Sequence, residues 1–377
     1  MNNPLQQLHA AGQAVWLDFV DRTFLTDGGL RKLIREDAIT GITSNPSIFE
    51  KAMGHGDAYD AGFKKWLAQA APKSSVMETY EAQAFIDIQH AADDLLPVYN
   101  KLNGQDGYVS IEVSPYLAND TEATIEEARR LWKMVDRPNL MVKVPGTKAG
   151  APAVQQLIED GLNINITLLF SQEAYKAVAE AYFAGLEARL KAEKPIDQIA
   201  SVASFFVSRI DSKIDQAIDQ RIENKDPESS ALAALRGKVA IANAKLAYHW
   251  YTDIIASARW QALAQKGAMP QRLLWASTGT KDATYSPTLY VDSLIGPDTV
   301  NTMPPKTMDA FREQGVVAQT LTQDVDQAQH VLAEAARLGL DLPAVTAQLV
   351  EDGVKQFADA ADQLLAAVEK KRTTFQP

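Results

Sequence analysis

NLMVKVPGT, residues 139–147, is followed by NINITLLFS, residues 163–171. Both are short runs rich in β-branched residues, and in both polar side chains alternate with apolar ones. In the first, Met141 and Lys143 oppose Val142 and Val144; in the second, Asn163, Asn165 and Thr167 oppose Ile164, Ile166 and Leu168. A period of two places each set on one side of a strand. A strand, a helical stretch and a second strand form the repeating unit of a parallel sheet.

Working outward, the same unit recurs. Strand-like runs are predicted at 14–19 (AVWLDF), 39–45 (ITGITSN), 107–113 (GYVSIEV), 140–145, 163–170, 199–207 (IASVASFFV), 272–278 (RLLWAST) and, most weakly, 299–303 (TVNTM). Helical periodicity fills the intervals: 76–96, ended by Pro97; 121–135, with a capping signal at its start; 172–191; and 231–265, as one long helix or two. Eight strands alternating with helices predict an α/β fold, the (β/α)8 TIM barrel. An open doubly wound sheet is the alternative, but no G-x-G-x-x-G or Walker loop supports it. The long connections 50–106 and 208–271 contain helical patterns and read as helical insertions. The stretch 323–377 reads as a C-terminal helical extension, two helices joined near 339–343, packing on the barrel. The whole chain, 1–377, reads as a single domain.

Composition narrows the function. The chain has 377 residues, 46% of them apolar and 23% charged, and no cysteine. Disulfides, thiol catalysis and cysteine-ligated metals are excluded. Net charge is −11, from 48 acids against 37 bases. With no broad basic field, nucleic acid and anionic membranes are not expected partners. The first Lys or Arg is Arg22, and Asp18 interrupts the only early apolar run, so the start reads as neither a secretion signal nor a transit peptide. No stretch approaches the roughly 18 apolar residues of a spanning helix. A cytoplasmic protein is expected, a monomer or homodimer. The five histidines show no metal spacing, and no G-x-S-x-G elbow is present, so neither a metal site nor serine hydrolysis is expected.

The alternation extends to the other strands: Trp16 and Asp18 share a face, as do Ser110 and Glu112, and Ser204 and Phe206. Apolar faces of barrel strands pack on helices, so the polar faces point inward, and most of these residues lie late in their strands, near the C-terminal mouth. Asp18, Asn45, Glu112, Lys143, Asn165 and Thr167 then converge from five strands. Taken singly, each has a structural reading. Asp18 suits a cap, Asn45 before Pro46 suits a turn, and Glu112 with Lys143 suits an ion pair. Taken together, several polar groups buried at one mouth indicate a site, because an unpaired buried charge costs several kcal/mol. Lys143 is the sharpest element. Desolvation of an inward lysine favours its neutral form, and a neutral amine attacks a carbonyl to form an imine. Asp18 and Glu112 supply two carboxylates in different surroundings to move the protons.

The segments WLDF, GITSNPSIF, SIEVSP, NLMVKVPGT, NINITLLFS, SVASFFVSRID and WASTGTKD resemble the transaldolases, in the longer bacterial form, from about residue 15 to 307. The resemblance implies a (β/α)8 barrel with a Schiff-base lysine, Lys143, on strand 4. It also implies transfer of a three-carbon dihydroxyacetone unit between sugar phosphates, without a cofactor. It assigns Asp18 to the proton of the hydroxyl at the cleaved bond, and Glu112 to a water held with Thr167. Asn45 and Asn165 bind the three-carbon unit, Ser204 and Phe206 line the site, and Arg209 and Ser277 bind phosphate. Shorter members carry a second arginine after the strand-7 serine. Here Ser277 is followed by Thr278-Gly279-Thr280-Lys281, and Lys281 stands in as a point charge. An aldolase releasing free dihydroxyacetone from fructose 6-phosphate is the alternative on the same barrel, and a non-catalytic sugar-phosphate binder a more distant one. Some relatives fuse this module to a glucose-6-phosphate isomerase; the residues here read as the transaldolase part alone.

Overall fold

A computed structural model describes residues 3–69 and 74–375. Eight strands close into a barrel in sequence order, and every pairing is parallel. They are β1 (Gln13–Asp18), β2 (Ile39–Thr43), β3 (Tyr108–Glu112), β4 (Leu140–Pro145), β5 (Ile164–Leu169), β6 (Ser201–Phe206), β7 (Arg272–Ala276) and β8 (Thr299–Met303). All eight predicted strands are present, with ends shifted by at most two residues.

The helices form where the sequence caps them. Helix Thr121–Val135 starts at Asp120, whose side chain accepts from the Ala123 N–H, and buries Ile125, Ala128, Leu131 and Val135 on one stripe. Ser171 caps Gln172–Lys191 in the same way. The 231–265 pattern is not one helix or two: its start lies in a short helix, Ser229–Ala233, followed by turns, and the rest divides into Val239–Ala256 and Ala258–Ala264, because Ser257 leaves helical geometry and caps the last piece through the Trp260 N–H. One reading is corrected: Pro97 does not end its helix, which runs Val76–Lys101. Pro97 is exposed and within the last two turns, so the carbonyl it leaves unbonded faces water. Beyond it, Tyr99 is held edge-on against Tyr108 of β3 at 5.5 Å.

At the N-terminal end of the barrel, buried Asp106 accepts from Trp16 Nε1 at 2.9 Å, from Thr40 Oγ1 at 2.9 Å and from its neighbour's backbone N–H at 2.9 Å, and pairs with Arg272 at 3.3 Å. The Trp16 indole fits because β2 carries Gly41, where a Cβ would lie 2.4 Å from the ring. This end carries a buried hydrogen-bonded network around Asp106, whereas the polar strand residues singled out in the sequence lie toward the opposite end.

The C-terminal helix Leu342–Phe375 crosses that opposite end. Its buried stripe, Leu349, Gly353, Phe357, Ala360, Leu364 and Val368, packs on helices Pro46–Gly54, Val76–Lys101 and Ser208–Glu223 and reaches β5. At Gly353 the approach is close: a Cβ there would meet Leu168 Cδ2 at 2.8 Å. Leu168 itself has φ +59°, at an irregularity in the β5–β6 register between Ile166 and Leu169. Such a bulge re-aims the residues beside it, here Thr167.

Candidate active site

Lys143 is 5% exposed and sits at the centre of the C-terminal mouth. Parallel register makes Glu112 its Cα partner on β3 and Asn165 its partner on β5. Lys143 Nζ donates to Glu112 Oε2 at 3.0 Å and to the Ser44 carbonyl at 3.0 Å. The Phe357 ring covers the amine, its centroid 6.0 Å from Nζ. Across the mouth, Asp18 Oδ1 accepts from Thr43 Oγ1 at 2.7 Å, and Thr43 shares a 2.7 Å hydrogen bond with Thr302.

The two carboxylates are tuned in the same direction by the same cause. Burial pushes Asp18 above the ordinary carboxylate range, opposed by the charge of Lys143, the Thr43 hydrogen bond and the charge of Arg209. Burial also raises Glu112, opposed by the charge and hydrogen bond of Lys143, while nearby Asp18 adds to the rise. A carboxylate raised in this way is a better proton acceptor than a free one, which suits general acid–base work near neutral pH.

A cleft of about 490 Å³ opens over these groups. Its lining includes Asp18, Asn45, Lys143, Thr167, Ser204, Phe206, Arg209, Ser277 and Lys281. Thr167 Oγ1 is buried without a protein partner, so it can hold a water or ligand oxygen at the cleft wall. Asn45 serves both readings: its Oδ1 caps helix Pro46–Gly54 through the Ile48 N–H, and its side chain borders the cleft. Asn165 lies deeper and does not line the cleft. Its amide donates to Ser110 Oγ at 3.1 Å and accepts from Ser204 Oγ at 2.7 Å, a polar layer under the site. Glu112 likewise lies behind the cleft wall, reached through Lys143.

At the outer rim the cleft turns cationic. Arg209 stacks over Phe206, 5.2 Å from the ring centroid, and donates to Gln356 Oε1 at 3.0 Å. Lys281, exposed on its outer side, is pulled below the ordinary lysine range by partial loss of solvent at the cleft rim and then by the positive charges of Arg209, Lys306 and Lys51. Among the described residues none of these four cations has an ion-pair partner, an arrangement that favours a bound anion. Ser277, with φ +56°, shares a 2.9 Å hydrogen bond with Ser208 at the start of helix Ser208–Glu223. Among the described residues no group of three or more His, Cys, Asp or Glu is arranged to hold a metal ion.

Sequence reading passed over Thr43, Thr302, the Ser44 carbonyl, Lys51, Lys306 and Phe357. Thr43 could have been found, since it alternates with Gly41 on the inward face of β2. Lys306 follows the faintest strand. Phe357 reaches the site only through the packing of a distant helix, which no local pattern encodes.

Comparison with known proteins adds a separate line. A protein-family model described as Transaldolase/Fructose-6-phosphate aldolase matches residues 15–368. "Transaldolase 2" of Nostoc punctiforme is 47% identical over 381 aligned residues, covering 100% of this chain and 99% of that protein. "Transaldolase" of Thermobifida fusca is 45% identical, covering 98% of this chain and 99% of its own. "Transaldolase" of Thiobacillus denitrificans is 45% identical, with 97% and 99% covered. Alike to these proteins along nearly its whole length, the chain belongs to the transaldolase/fructose-6-phosphate aldolase family.

Proposed function

We propose that this protein is a transaldolase that moves a dihydroxyacetone unit from sedoheptulose 7-phosphate to glyceraldehyde 3-phosphate, giving erythrose 4-phosphate and fructose 6-phosphate through an imine on Lys143. The observation that carries the mechanism is the 3.0 Å contact between Lys143 Nζ and Glu112 Oε2, made at the wall of a cleft that Lys143 and Asp18 both line.

Glu112 takes a proton from Nζ, and the freed amine pair attacks the ketose carbonyl carbon, C2. The carbinolamine loses its hydroxyl as water, protonated by the acid form of Glu112, and the protonated imine remains. Asp18 removes the proton of the C4 hydroxyl. The C3–C4 bond breaks, its electron pair moves into the imine to give an enamine, and the aldose phosphate leaves. The enamine then attacks the carbonyl carbon of the acceptor, and Asp18 returns its proton to the new hydroxyl. A water held at Thr167 Oγ1 and deprotonated by Glu112 adds to the imine and releases the product ketose. The electron pair is stored and returned by the imine, so the balance closes on groups of this chain and substrate.

Asn45 and Asn165 hydrogen-bond the three-carbon unit in this reading, Asn165 from the layer beneath, and Ser204 and Phe206 shape its walls. The phosphate binds Arg209, Ser277 and Lys281, with Lys51 and Lys306 adding charge where shorter family members carry a second arginine. A sugar phosphate is the partner class. We place the enzyme in the cytoplasm, as a monomer or homodimer; among the described residues no helix is long and apolar enough to cross a membrane.

Borohydride reduction in the presence of fructose 6-phosphate tests the reading. The expected product is a reduced three-carbon adduct on Lys143, identified by peptide mass. No adduct, or one on another lysine, overturns it. Faster turnover with an aldose phosphate acceptor than without one separates transfer from simple aldol cleavage.

A further inference from the structure

The segment carrying Lys281 has little to hold it. From Gly279 to Pro287 no residue is buried, whereas Thr278 and Thr288 at its ends are. Behind Lys281, on the side away from the cleft, lies a second cavity of about 390 Å³ with walls that include Asp215, Asp219, Asp282 and Tyr285. Lys281 borders both spaces. On the cleft side it faces Arg209, Lys306 and Lys51, which repel it.

Specific tethers take the place of packing. Helix Ser208–Glu223, which starts beside Arg209, carries Asp211, Asp215 and Asp219 at intervals of four, hence on one face. Each is matched by a partner. Tyr290 OH donates to Asp211 Oδ2 at 3.1 Å. Tyr285 OH donates to Asp215 Oδ2 at 2.8 Å. Arg236 bridges Asp219 at 3.3 Å and Asp282, the residue after Lys281, at 2.9 Å. The backbone N–H groups of Ala240 and Gly237 donate to the remaining oxygens of Asp211 and Asp215. Gly237 leaves room for the Tyr285 ring, since a Cβ there would lie 2.9 Å from its Cζ. Three successive points of the 279–292 segment are thereby fixed to the same helix that positions Arg209.

We propose that this aspartate ladder, through Tyr285 above all, is a positioning device that holds Lys281 at a set distance from Arg209 and so sets affinity for the phosphate end of the substrate. The inference rests on the phosphate role given to the cationic rim above. Tyr285 touches no substrate; it acts through Lys281.

The test uses the full chain with Tyr285→Phe, Lys281→Met and the double variant. Two quantities are read: KM and kcat for fructose 6-phosphate with an acceptor, and the rate of borohydride trapping of dihydroxyacetone, which lacks phosphate, on Lys143. Loss of one hydrogen bond to a charged group predicts a KM raised roughly tenfold in Tyr285→Phe, with kcat within about twofold. Trapping of dihydroxyacetone stays at the wild-type rate. In the Lys281→Met background, adding Tyr285→Phe changes KM little, because both act through one contact. An unchanged KM in Tyr285→Phe overturns the inference. So does an equal loss of dihydroxyacetone trapping, which marks general damage to the barrel, or full additivity in the double variant. If the wild-type protein itself traps nothing on Lys143, the proposed reaction fails, a result distinct from these.

Discussion

Lys143 and Glu112 are Cα partners across β4 and β3, and their side chains meet at 3.0 Å. Because the pairing is a consequence of strand register, it needs no loop to arrange it, and the backbone hydrogen bonds between two adjacent barrel strands hold it in place. Burial raises the carboxyl and so equips it to take the ammonium proton. Glu112→Gln keeps the shape and an acceptor for Nζ but removes the base. The expected result is a kcat lower by roughly 10²–10⁴-fold with the fold intact, measured by steady-state kinetics beside thermal melts. Borohydride trapping should slow in proportion, since in the proposed mechanism both imine formation and hydrolysis use this proton path. Near-normal kcat would remove Glu112 from the mechanism.

In the proposed mechanism Asp18 must be ionised to take a hydroxyl proton, and burial holds it above the ordinary carboxylate range. A base with a raised pKa loses activity as pH falls through that raised value, so the acid limb of kcat/KM lies above the usual carboxylate region. Thr43 donates to Asp18 and favours its charged form. Thr43→Val deletes that hydrogen bond, and the acid limb should move to higher pH while the plateau changes less. A pH–rate profile of both proteins decides this. A limb that stays in place, or moves to lower pH, would contradict the assignment of Asp18 as the base.

Asp211 gives a pH effect on stability without chemistry. It is fully buried, and burial pushes its carboxyl up to about 7, opposed mainly by the Ala240 N–H. Unfolded, it titrates near the ordinary value, so between about pH 4 and 7 the native state binds more protons than the unfolded one. Stability therefore falls as pH rises through this window and levels off above it. The full swing is on the order of 4 kcal/mol for a shift of about three units. Asp18 and Glu112 slope the same way, so the useful quantity is the difference between proteins. Asp211→Asn should lose part of the decline and melt higher than wild type at pH 8, by calorimetry at several pH values. An identical pH dependence in both proteins would show that the carboxyl titrates normally.

The barrel was legible because its signals are local and repeated. Each strand is a short β-branched run, and each inward face shows polar residues at a period of two; Lys143, Glu112 and Asp18 were found from that period alone. What the sequence concealed has other causes. The helix through Pro97 survives because its unbonded carbonyl is at the surface and Tyr99 is anchored beyond it, a tertiary effect that overrides a local breaker. Asn165 sits on the expected face but one layer down, because depth along a strand follows barrel shear and is not written in alternation. Lys51 and Lys306 join Lys281 from helices that follow β2 and β8, far apart in sequence. The missing second arginine was readable as an absence, with Lys281 as its expected stand-in, whereas the proximity of Lys51 and Lys306 was not readable.

Phe357 tests whether the C-terminal helix takes part in choosing between transfer and hydrolysis. Its ring lies 6.0 Å from the Lys143 amine and is 6% exposed, carried by a helix that packs closely on the barrel where Gly353 meets Leu168. An aromatic face there does two things. It favours a positive charge on the nitrogen, as in the protonated imine, and it keeps bulk water from the carbon that water must attack. Phe357→Ala removes both, while the neighbouring anchors Gly353, Ala360 and Leu364 keep the helix in place. With the roof open, the enamine is protonated and the resulting imine hydrolysed more often before an acceptor arrives. The expected outcome is a several-fold rise in free dihydroxyacetone released per fructose 6-phosphate consumed, with trapping on Lys143 retained. Quantifying dihydroxyacetone against transferred product, at one acceptor concentration for both proteins, gives the ratio. If the ratio is unchanged and only total rate falls, the ring merely fills space, and the partition between transfer and hydrolysis is set by the barrel strands themselves.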